Sequence, residues 1–90
     1  MDEEKIKEAV EYMVSYGTAH TSYGNWKFGA DDLADALGTS VERILEQYDR
    51  IFNLLLCRKE VLDVEEDSDN GVKLYSIYFG TDFCPNLWPY

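Results

Sequence analysis

GADDLADALGTSVERILEQYDRIFNLLL, residues 29–56, reads as two amphipathic helices joined through a glycine. In residues 30–37, Leu33, Ala34 and Leu37 fall on one side, while Asp31, Asp32 and Asp35 face outward or complement the positive end of the helix dipole. Gly38 stops that helix. Thr39 and Glu42 then form a T-x-x-E capping box that starts a further helix. Val41, Ile44, Leu45, Tyr48, Ile51, Phe52 and Leu55 give that helix one unbroken apolar stripe. Leu54, Leu56 and Cys57 widen the stripe, so its C-terminal end is expected to be the most deeply packed.

Before this stretch, Ile6, Ala9, Val10, Met13 and Val14 mark a first helix over residues 2–16, with Asp2, Glu3 and Glu4 in its first turn. Gly17 is placed to end it in a left-handed C′ conformation. Residues 18–25 read as a polar loop, and Trp26-Lys27-Phe28 as a short strand. After residue 60, Val61–Glu65 and Val72–Phe79 read as strands, the second with Leu74 and Tyr78 on one face and Tyr75, Ile77 and Phe79 on the other. Residues 66–71 between them, ending in Asn70-Gly71, read as a turn.

The expected fold class is therefore α+β: three helices and a two- or three-stranded antiparallel sheet in a single domain of 90 residues. Residues 80–90 form an aromatic tail, where Phe83, Leu87 and Trp88 either fold back over the core or form an exposed contact patch. Tyr12, Tyr16, Tyr23 and Tyr48 are expected in the core or on its flank, and Tyr23, Trp26, Trp88 and Tyr90 are the aromatic residues to watch as contacts.

The net charge is −10, from 8 basic and 18 acidic residues. Residues 61–71 hold five of the acids, Asp63, Glu65, Glu66, Asp67 and Asp69, and no base. No segment is strongly basic, as a phosphate-binding surface requires. No run is long enough to span a membrane and the N-terminus lacks a secretory layout, so a cytoplasmic location is expected. There Cys57 and Cys84 should be free thiols.

Catalytic and metal patterns are absent. His20 is the only histidine, expected in an exposed loop with no nucleophile elbow around it. Glu65, Asp67 and Asp69 alternate as in a calcium loop, but Asn70 stands where that loop needs glycine and no glutamate closes it. No Walker loop or G-x-G-x-x-G is present. The expectation is a protein with no enzymatic activity, cofactor or metal.

The order helix, short strand, helix, glycine turn, capped helix, strand, turn, strand resembles the winged helix-turn-helix superfamily. Phe28, Leu33, Ala34, Leu37, Gly38, Val41, Ile44 and Leu45 carry the likeness. In DNA-binding members the helix after the turn enters the major groove and the wing meets phosphates. The resemblance thus implies base reading by Arg43, Gln47 and Arg50, with Ser40 and Asn53 on the same outward face. The acidic wing would repel phosphate, which disfavours direct DNA binding unless a dimer or partner supplies positive surface. Small acidic size on such a scaffold also resembles phage anti-CRISPR and other anti-defence proteins, including nucleic-acid mimics. That resemblance implies an inhibitor, monomeric or homodimeric, that docks on a basic nucleic-acid-handling protein such as a CRISPR effector or nuclease. Its contacts would be Asp31, Asp32, Asp35, Asp63, Glu65, Glu66, Asp67 and Asp69. The alternative is a transcriptional regulator that binds DNA through Arg43, Gln47 and Arg50, acting as a dimer.

Overall fold

A computed structural model describes residues 2–21 and 24–80. The fold is α+β: α1 (Glu3–His20), β1 (Gly24–Gly29), α2 (Ala30–Leu37), α3 (Val41–Glu46), α4 (Tyr48–Leu56), β2 (Val61–Asp69) and β3 (Val72–Phe79). The strands form one antiparallel sheet in the order β1-β3-β2, so the short aromatic strand does join the hairpin. The helices cover one face, where Phe28, Val64, Tyr75, Ile77 and Phe79 meet Ile6, Met13, Leu33, Ile44, Ile51 and Leu55. Among the described residues, no helix is long and apolar enough to cross a membrane.

Among the described residues there are four helices, not three. The expected long helix breaks at Gln47, which sits at φ −106°, ψ 12°, the bridge region between helix and strand. Its N–H donates to the Ile44 carbonyl at 3.1 Å, three residues back rather than four. The break separates the stripe: Ile44, Tyr48, Ile51 and Leu55 are buried, while Val41 and Leu45 are exposed. The helix cap also moves by one residue, because the Ser40 hydroxyl, not Thr39, accepts the Arg43 N–H. Nor is the C-terminal end of the stripe its deepest part. Leu56 and Cys57 are exposed, and Cys57 is a free thiol.

The first helix runs past Gly17 to His20 and β1 already starts at Gly24, so the expected loop over residues 18–25 is cut from both ends. Gly17 is helical and buried rather than a left-handed stop. It faces the ring of Phe79, and a Cβ at this position would overlap that ring. Asp2 caps the helix start, accepting the Lys5 N–H at 2.9 Å.

β2 also runs longer than expected, to Asp69, leaving only Asn70 and Gly71 as the turn. Their φ values of 51° and 80° suit the two-residue I′ hairpin that Asn-Gly favours. A bulge between Val61 and Asp63 turns both Val61 and Val64 inward and leaves Leu62 outside, 54% exposed, where simple alternation would pair Leu62 with Val64.

Tyr48 locks the second half of the broken helix to the sheet. Its ring stacks on Tyr75 at 4.2 Å and 10°. The Tyr48 hydroxyl donates to the Leu74 carbonyl at 2.5 Å, and the Tyr75 hydroxyl donates to the Tyr48 carbonyl at 3.1 Å. Burial, then the charges of Glu66, Asp49 and Asp67, pushes the Tyr48 phenol up to about 12 from 10.0. Burial, then Tyr48, Asp49 and Glu66, also raises that of Tyr75. A phenol whose folded pKa exceeds its unfolded pKa leaves stability untouched below the unfolded value and removes it as pH rises toward the folded one. The denaturant midpoint should therefore begin to fall near pH 10 and keep falling to about pH 12, less steeply in Tyr48→Phe. A midpoint that stays level to pH 12 would contradict this account.

Candidate functional site

The acidic strand, β2, is one of the two outer strands of the sheet. Asp63, Glu65, Asp67 and Asp69 occupy alternate positions of β2, opposite Tyr78, Ser76, Leu74 and Val72. They form one row on the face that carries no helix, with successive Cα atoms about 6.8 Å apart along the extended chain. Glu66 falls on the other face by register and pairs with Lys73 at 3.5 Å, so it leaves the row. This spacing also spreads Glu65, Asp67 and Asp69 too far for the 2.3–2.6 Å contacts of one calcium ion. Among the described residues, no group of three His, Cys, Asp or Glu side chains is arranged for a metal.

The row is tied down locally. Asp63 accepts the Val64 N–H and Asp67 accepts the Ser68 N–H, each at 2.8 Å. These bonds use edge donors that a foreign strand would otherwise take. The Tyr78 hydroxyl donates to Glu65 at 2.7 Å, and Glu65 in turn raises the pKa of that phenol. Lys27 reaches over from β1 to Asp67 at 3.1 Å. The Ser68 N–H and Lys27 together hold the Asp67 carboxyl below its usual range.

Asp31, Asp32 and Asp35 do not join this row. They sit on α2, all exposed. Asp32 and Asp35 instead rim a cleft of about 340 Å³ whose walls include Tyr12, Tyr16, Trp26 and Phe28. The rings meet closely. Tyr16 lies 5.7 Å from Tyr12, 5.9 Å from Phe28 and 6.2 Å from Trp26. His20, expected in a loop, is in the last turn of α1 and stacks on Trp26 at 5.1 Å and 16°. Tyr12, Tyr16 and His20 follow an i, i+4, i+8 spacing, a signal the sequence carried. Tyr16 is 40% exposed, so it is less a core residue than its helix position suggested. Tyr23, the expected C-terminal contacts Trp88 and Tyr90, and Cys84 lie outside the described residues.

The three residues proposed for base reading do not share one helix face. Arg43 is on α3, Gln47 is at the break, and Arg50 is on α4, paired with Glu3 of α1. Internal ion pairing takes up most of the positive charge. Lys5, Lys27, Arg50, Arg58 and Lys73 all pair with the protein's own acids. Arg58 binds both Glu11 and Glu60, at 2.5 and 3.2 Å. Those bonds raise its pKa. Arg58 in turn is the main influence that lowers the Glu60 carboxyl, against the opposing effect of burial, which is the largest single one. Arg43 makes no ion pair among the described residues. In comparisons with known proteins, no family model, no curated protein and no solved structure matches the chain.

Proposed function

We propose that this chain is a non-catalytic acidic binding protein on a winged helix-turn-helix scaffold, and that it docks on a basic nucleic-acid-binding protein. The supporting observation is the row Asp63, Glu65, Asp67 and Asp69 on the helix-free face of the outer strand β2. A net charge of −10 adds long-range attraction for a basic surface. The element order and the strand order β1-β3-β2 support the scaffold. An inhibitor that occupies the nucleic-acid groove of a phage-defence effector is the form of this activity we favour.

The test is capture of nucleic-acid-binding proteins on the immobilised chain at low and high salt. Binding should weaken steeply with salt. The variant D63N/E65Q/D67N/D69N, altered only at surface positions, should bind roughly ten-fold more weakly. Capture that is indifferent both to salt and to these four changes refutes the reading.

The DNA-regulator reading retains one favourable observation, the exposed Arg43 beside the glycine turn, which makes no ion pair among the described residues. Duplex binding at low salt that is lost in Arg43→Ala would revive it.

A further inference from the structure

We propose that the cleft between α1, β1 and α2 receives an arginine side chain of the protein partner. This rests on the reading of the chain as a binder of basic proteins and specifies a second contact for it. The cleft joins two chemistries. The aromatic residues Tyr12, Tyr16, Trp26 and Phe28 line it together with the acidic residues Asp32 and Asp35. Tyr16 packs against Tyr12, Phe28 and Trp26 at 5.7–6.2 Å, so the four rings form one continuous aromatic surface, and a ring face attracts a cation placed within about 6 Å of it.

The rim selects the sign of the ligand. Asp32 and Asp35 are three residues apart on α2, so they share a side of the helix. Neither forms an ion pair among the described residues. An anion would be repelled, and a neutral apolar group would cover two carboxylates without a partner. The one cation lining the cleft, Lys27, has its ammonium 3.1 Å from Asp67, out over the sheet. Lys27 alternates with Trp26 and Phe28 along β1, so its side chain lies on the helix-free face and its charge stays out of the cleft. Among cationic side chains, arginine fits both parts. Its planar guanidinium stacks on rings while its forked N–H groups meet carboxylates, whereas an ammonium is compact and strongly hydrated.

The test is an NMR titration of the intact isotope-labelled chain with N-acetyl-arginine methylamide. The lysine and citrulline analogues run in parallel, citrulline being the uncharged near-isostere. Saturable shifts are expected at the Trp26 indole N–H, Tyr16 and the amides of residues 32–36. The lysine response should be weaker and citrulline should give none. D32N/D35N, changed only at exposed positions, should bind the arginine probe roughly ten-fold more weakly with the rest of its spectrum intact. Tyr16→Leu should weaken binding while keeping an apolar wall. A citrulline or lysine response equal to that of arginine, shifts centred on residues 63–69, or unaltered binding by D32N/D35N would each overturn the assignment. Because the titration needs no partner, its failure alongside intact salt-sensitive capture removes the cleft proposal and leaves the acidic strand standing. The reverse pattern removes the strand reading.

Discussion

Tyr75→Ala should lower the stability of the protein by about 4 kcal/mol, the cost of emptying a buried aromatic site. Tyr75 is fully buried at the centre of the sheet, and its ring stacks against Tyr48. Removing it leaves a cavity under α4 and removes the hydroxyl that holds the Tyr48 carbonyl. A chain of this size has about 5–13 kcal/mol in total, so the loss is a large share of it. The corresponding fall in Tm is about 15–30 °C. Tyr75→Phe keeps the stack and loses one hydrogen bond, so it should cost only about 1 kcal/mol. Thermal and denaturant unfolding of the pair checks this. Equal losses for the two variants would mean that the hydroxyl, not the ring, holds α4 in place.

Gly17→Val should cost about 3 kcal/mol, through overpacking rather than cavity formation. Two effects oppose each other here. Every side chain but proline's improves on glycine's helix propensity, by about 1 kcal/mol for alanine. Against that, the first added carbon overlaps the Phe79 ring, which is itself buried. The steric term should win even for alanine, leaving Gly17→Ala about 1 kcal/mol less stable than the native protein. Gly17→Ala combined with Phe79→Leu should recover part of that loss, since the shorter side chain vacates the space. If Gly17→Ala proved stabilising, the helix would have to sit farther from β3 than it does here.

Gly17 also shows where local reading fails. A glycine after a periodic run is a sound stop signal, yet this glycine is set by a contact with Phe79, 62 positions along the chain. Ending the helix there also concealed the stack of His20 on Trp26 beside the cleft. Only when the helix continues does His20 fall one turn beyond Tyr16 and reach Trp26. The break at Gln47 was hidden for a similar reason: Ile44 and Tyr48 are four residues apart, the spacing of an unbroken helix. What separates them is the docking of Tyr48 onto Leu74 and Tyr75, which no local pattern reports. By contrast, the Leu33-Ala34-Leu37 stripe, its end at Gly38 and the Asn70-Gly71 turn were legible because each is decided within a few residues. The acidic row was visible as composition. Its division between two faces, with Glu66 apart from its neighbours, needed the register of β2 on β3.

The hydrogen bonds from Val64 and Ser68 to their preceding aspartates, and from Tyr78 to Glu65, bear on how such a surface binds. Side chains on most protein surfaces explore several rotamers and lose that freedom when a partner arrives, at about 0.5–1.5 kcal/mol for each mobile one. Asp63, Glu65 and Asp67 have already surrendered it to their own fold. On the proposed reading, a cation approaching this strand would meet charges held at fixed positions, and pairing there would select by spacing as well as by sign.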